Sequence, residues 1–163
     1  MAEIVIYRNV EAPLSVLWQS WDRFGEIDRF HPKILTSRLV SGSVKTGVGA
    51  ERCCLSAVDE TCLRERIIAY QPEEYMVIEI VDATFLLQNA RITLDFLALS
   101  HNKSRTTMRI SPSERSGFLR HGAAFLFRAG LRRSFSNLLE ANASFVENGR
   151  EFAFVTRLQG APQ

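Results

Sequence analysis

The stretch that decides the fold is residues 50–70, which read Ala50-Glu51-Arg52-Cys53-Cys54-Leu55-Ser56-Ala57, then Val58-Asp59-Glu60, then Thr61-Cys62-Leu63-Arg64-Glu65-Arg66-Ile67-Ile68-Ala69-Tyr70. Both flanking runs have the makeup of half-buried strands, and Asp59-Glu60 between them is turn material too short to hold a crossover helix. Strands joined this way run antiparallel. The pattern continues outward, with strands predicted over 34–42, 75–81, 90–99 and 105–111, separated by Gly47-Val48-Gly49, Gln71-Pro72 and His101-Asn102-Lys103. An antiparallel meander follows.

Upstream, Ile4–Val10 alternates apolar and polar positions and predicts a first strand. Ala12-Pro13 then places a proline where a helix can begin, and Leu14, Leu17, Trp18, Trp21 and Phe24 recur at helical spacing as far as Gly25. A second helical turn over 26–30 stops at His31-Pro32, because the residue before a proline is pushed out of the helical region. Downstream, Phe127, Leu131, Phe135, Leu138 and Phe145 repeat every three or four residues and predict a long helix, Ala123–Asn148, with Asn148-Gly149 as its C-cap. Residues 1–149 form the expected domain. Residues 150–163 form a tail in which Phe152, Phe154 and Val155 are the docking candidates and 160–163 a frayed end.

A length of 163 residues suits one domain, and 46% hydrophobic with 23% charged residues gives enough apolar side chains for a core. The formal net charge of +2 is too small for a protein organised around a nucleic-acid backbone, so no nucleic-acid partner is expected. The longest apolar run is 123–127, far short of a membrane span, and Met1-Ala2-Glu3 lacks the basic and apolar regions of a signal peptide. The expected location is the cytoplasm. Cys53, Cys54 and Cys62 are an odd set without CxxC spacing, and neighbours on a strand point to opposite faces, so thiols in a reducing compartment are expected.

One strand, two short helices, six antiparallel strands and a long C-terminal helix is the element order of the helix-grip fold. In that order the chain resembles the SRPBCC, or START-like, superfamily. Ala12-Pro13 with Val16-Leu17-Trp18, Phe24-Gly25-Glu26-Ile27 and His31-Pro32 resemble its opening helix, "dfg" turn and "whP" segment. Gly47-Val48-Gly49-Ala50-Glu51-Arg52 resembles its glycine-rich turn before an arginine, and Arg64-Glu65-Arg66-Ile67 its "ERL" strand. The nearest group is the polyketide cyclase/dehydrase and lipid-transport branch, although the strand over 105–111 lacks the tryptophan often found there. The resemblance implies an α+β fold in which a curved seven-stranded antiparallel sheet wraps the C-terminal helix. It also implies a cavity for a hydrophobic or amphipathic small molecule, and a glutamate at the position of Glu65 lining it.

Several residues are candidates for that cavity. Strand alternation puts Glu65 on one face with Leu63, Ile67 and Ala69, so a carboxylate points to the apolar side, where it must pair with Arg52 or meet a ligand. Arg52 shares a face with Ala50, Cys54 and Ser56, small side chains that would leave volume unfilled, and there it would grip a carboxylate or phenolate end of a ligand. A register slip would instead turn Glu51, Cys53 and Leu55 inward. Asn142 interrupts the apolar stripe of the long helix and either reads the ligand or satisfies a loop carbonyl. Ile92, Leu94, Phe135 and Leu138 complete the expected lining, in a cavity of roughly 300 to 1,000 Å³. The register over 75–81, and with it the direction of Glu79, stays open because both faces are apolar.

No catalytic residue, metal or cofactor is assigned. His31, His101 and His121 lie in three separate loop contexts, no nucleophile motif is present, and no lysine follows Gly47-Val48-Gly49 in the register of a phosphate loop. Arg115, Arg120, Arg128, Arg132 and Arg133 around the start of the long helix read as a solvated face, with a basic interaction surface as the rival. Phe118, Phe125, Leu126 and Phe127 beside them leave open a transient contact of the cavity mouth with a membrane surface. The expected function is binding or transport of a hydrophobic small molecule by a monomer or homodimer. The alternative is a cyclase or dehydratase in which Glu65 serves as general acid or base.

Overall fold

The structure is a computed structural model that describes residues 3–83, 87–111 and 123–149, with the helix backbone alone over 123–126. After β1, Ile4–Val10, come helix α1, Leu14–Asp22, and a 3-10 segment, Phe24–Arg29. The meander follows as β2, Ile34–Leu39; β3, Glu51–Ser56; β4, Cys62–Gln71; β5, Tyr75–Asp82; β6, Arg91–Ser100; and β7, Lys103–Ser111. Helix α2, Ala123–Asn148, closes the described chain. The fold is the expected α+β helix grip, with the second short helix wound as 3-10 and the β6–β7 turn cut to His101-Asn102. The candidate residues Arg115, Phe118, Arg120 and His121, the side chains of Phe125 and Leu126, and the tail 150–163 lie outside the described residues.

All seven strands form one sheet in the order β1-β7-β6-β5-β4-β3-β2, antiparallel throughout. Four strands bury one face by clear alternation: Ile4 and Ile6 on β1, Met76, Ile78 and Ile80 on β5, Ile92, Leu94 and Phe96 on β6, and Met108 and Ile110 on β7. This settles the register over 75–81, for Glu79 points outward toward Arg91. Gly47 and Gly49 both adopt positive φ, a region closed to most side chains, and this turn delivers Ala50 to a backbone bond with Ile67. Arg52 and Glu65 are thereby set directly opposite each other.

Helix α1 lies over one end of the sheet. Trp18 meets the rings of Tyr70 and Phe96, and Trp21 meets Phe30, which in turn packs on Phe145 of α2. Aromatic pairs of this kind add to plain area burial. Helix α2 runs beside β1, where Arg128 and Arg132 donate to the carbonyls of Glu3 and Val5 and Arg8 pairs with Glu140. Two of the arginines read as a solvated face therefore cover the edge of β1. Gly149, at positive φ, caps α2 by donating its N–H to the Phe145 carbonyl.

Cys53 and Cys62 are disulfide-bonded across β3 and β4, which corrects the expectation of three thiols. Cys62 sits opposite Leu55, two residues along from Cys53 and on the same face, so the hairpin joins cysteines that are not neighbours in sequence. The bond removes one ground for expecting a reducing compartment. Among the described residues no helix is long and apolar enough to cross a membrane.

Candidate functional site

A cavity of about 220 Å³ lies between the sheet and α2. Its apolar wall includes Ile78, Ile80, Ile92, Leu94 and Met108 from the sheet and Leu131, Phe135 and Leu138 from α2. Exposed residues Lys33, Val58, Asp59 and Thr61 mark a rim. The volume is below the expected range, and Trp21, Met108 and Phe135 are among the large side chains that line it.

One region of this wall is polar. Arg52 is 3% exposed and donates through Nε to Glu65 Oε2 at 2.6 Å and through Nη1 to the Phe24 carbonyl at 2.8 Å, while its guanidinium lies 4.1 Å from the Phe24 ring centre. The start of the 3-10 segment thus supplies both a carbonyl and a ring to one buried cation. Burial opposes the Arg52 charge, but Glu65 and then Cys54 favour it, and the pKa is raised above the ordinary value. Cys54 Sγ lies 3.8 Å from the same Glu65 oxygen and 3.6 Å from Ser37 Oγ. Burial, against the pull of Arg52 and with the help of Glu65, pushes its thiol up to about 11, so it is protonated and a poor nucleophile at neutral pH.

His31 joins this end of the cavity. Its Nδ1 accepts from the Lys33 N–H at 3.1 Å. Burial first, then the charges of Arg52 and Lys33, hold its pKa down to about 3, and the ring is neutral. Among the described residues no three His, Cys, Asp or Glu side chains converge as metal ligands do.

Of the residues singled out from sequence, Arg52, Cys54, Glu65, Ile92, Leu94, Phe135 and Leu138 are brought together in the wall. Asn142 is not. It is 1% exposed and lies between the helices, accepting from Trp21 Nε1 at 3.0 Å and donating to Ser20 Oγ at 2.8 Å. Its amide is spent on fixing α1 against α2. Glu65 and the Phe24 carbonyl hold two of the Arg52 nitrogens, so the ion pair that the sequence offered as a partner for Glu65 is formed. Sequence reasoning missed His31, Trp21 and the rim residues Val58 and Asp59; the available signal was His31-Pro32, a forced bend between the apolar residues Phe30 and Ile34.

No family model and no curated protein matches the chain. Solved structures do. A solution structure from Thermobifida fusca superposes with TM-score 0.70 at 23% identity, covering 90% of this chain and 93% of that one. The di-domain ARO/CYC BexL from the BE-7585A biosynthetic pathway gives 0.69 at 16%, covering 91% of this chain and 48% of that one. The Aha1 dimer from Colwellia psychrerythraea gives 0.67 at 11%, covering 92% and 99%. With its sheet order, paired short helices and gripped C-terminal helix, the chain shares the helix-grip fold of these structures.

Proposed function

We propose that this protein binds or carries a hydrophobic or amphipathic small molecule, of lipid or polyketide-like character, in the cavity between the sheet and α2. The observation that carries the reading is an apolar wall broken by a single buried polar cluster built on Arg52 and Glu65. A small-molecule site needs apolar area for affinity and a few fixed polar groups for orientation. Native mass spectrometry of protein purified from its own host tests this, with a co-purifying apolar compound as the expected result. Recovery of empty protein that also takes up no member of a panel of small apolar compounds would overturn it.

A cyclase or dehydratase reading draws on the similarity to BexL and on Glu65, whose Oε1 makes no hydrogen bond among the described residues. Against it stands the Arg52 guanidinium at 2.6 Å, which holds the carboxylate as an ion-pair partner and opposes its use as a proton donor. Binding without turnover is the better supported reading.

A further inference from the structure

The Arg52–Glu65 pair satisfies only part of itself. Arg52 donates through Nε and Nη1 and lies beside the Cys54 thiol, and Glu65 accepts at Oε2 alone, so neither Nη2 nor Oε1 has a nitrogen or oxygen partner among the described residues. Neither atom is sealed away, since the only fully buried side-chain nitrogen or oxygen without a partner among the described residues is Thr106 Oγ1. Both residues line the cavity. A donor and an acceptor on adjacent strands therefore remain available at the polar end of an apolar chamber.

The charges around that end cancel. Among the described wall residues Arg52 and Lys33 are cationic and Glu65 and Asp59 are carboxylates. His31, with its pKa held at about 3, and Cys54, pushed up to about 11, are both uncharged at neutral pH. An entering carboxylate would lose its water, meet a guanidinium already neutralised by its partner, and lie beside Glu65. A hydroxyl meets no such penalty, because it accepts and donates at once. Volume sets the size: an apolar cavity of roughly 150 Å³ holds a benzene, so the 220 Å³ here suits a molecule of about two rings.

We propose that the ligand of this cavity is a small, uncharged aromatic or alicyclic alcohol, its hydroxyl accepting from Arg52 Nη2 and donating to Glu65 Oε1, and that its carboxylate counterpart is refused. This rests on the binding function proposed above and names the chemical class that the site selects. Isothermal titration of the full chain with naphthalene, a naphthol and the corresponding naphthoate separates the two ideas. The naphthol should bind at least about tenfold more tightly than naphthalene, as expected of hydrogen bonds to charged groups, and the naphthoate more weakly than either. Naphthalene binding as tightly as the naphthol, or the naphthoate binding tightest, would overturn the selectivity while leaving an apolar site standing. Failure of all three to bind would overturn the ligand class proposed here, while the binding function itself is decided by the mass spectrometry and compound panel above. In Glu65→Gln the cluster gains a net positive charge, and the preference should turn from the naphthol toward the naphthoate; should that variant fail to fold, the wild-type series alone decides.

Discussion

Two ion pairs on the same pair of strands, one residue out of step, meet opposite surroundings. Arg52 and Glu65 face the interior with side chains 3% and 7% exposed. Glu51, flanked by Arg64 and Arg66, faces outward, and both of its arginines are more than 40% exposed. On the outer face Arg66 first and then Arg64 hold the Glu51 carboxyl below its ordinary pKa, and although they cover it to 11% side-chain exposure, the arginines themselves keep their contact with water. Inside, each charge depends on the other, because burial has removed the alternative. The same two residue types therefore trim the surface in one place and form a mutually dependent polar cluster in the other.

The largest expected break in this comparison is Glu65→Gln, which leaves Arg52 buried beside a neutral amide. Thermal or urea unfolding should report a loss of about 3 to 5 kcal/mol. Replacing both partners, as Arg52→Met with Glu65→Leu, should recover most of it. A single variant as stable as wild type would place the inner pair in the same class as the outer one.

His31 sharpens the contrast through pH. Unfolded, it takes up a proton near 6.5, whereas in the fold it does so only near 3, so across that window the unfolded state holds more protons. Stability should therefore fall as pH drops from about 6.5 toward 3, by at most about 1.4 kcal/mol per pH unit from this group. Denaturation curves across that range should lose part of their slope in His31→Gln; an identical slope would show that the ring protonates freely in the folded protein. The smallest effect belongs outside. Arg64→Ala should cost less than about 1 kcal/mol, and less again at high salt, when measured by the same unfolding assay.

The fold was legible because stretches of strand or helix period, separated by short turn segments, occupy most of the chain from Ile4 to Asn148. Alternation also grouped Arg52 with Cys54, and Glu65 with Ile67, on faces that the structure turns inward, but it left open which face of residues 50–57 that would be. It could not orient residues 75–81, where Val77 and Val81 rival Ile78 and Ile80 in apolarity, and only the pairing with neighbouring strands selects the buried set. Asn142 announced itself as a polar group on an apolar helix face, but its partners Trp21 and Ser20 lie more than a hundred residues earlier, beyond any local pattern. Cys53 and Cys62 illustrate the same limit, since their meeting depends on the cross-strand register. Trp21 and Met108 line the cavity as well, and spacing along the chain does not report which side chains of distant elements share one wall.

The strand order also bears on how the molecule is assembled. From β2 to β7 every pairing joins strands adjacent in the chain, so the sheet can grow by successive hairpins, each closing a short loop. Strand β1 alone has a remote partner, with Ile4 facing Ile110 and almost the whole meander intervening. Its loop-closure entropy is the largest in the sheet, and contacts made at such sequence separation are those that slow folding. Strand β1 is thus expected to be the last strand of the sheet to find its place, waiting both for β7 and for the arginines of α2 that donate to the carbonyls of Glu3 and Val5.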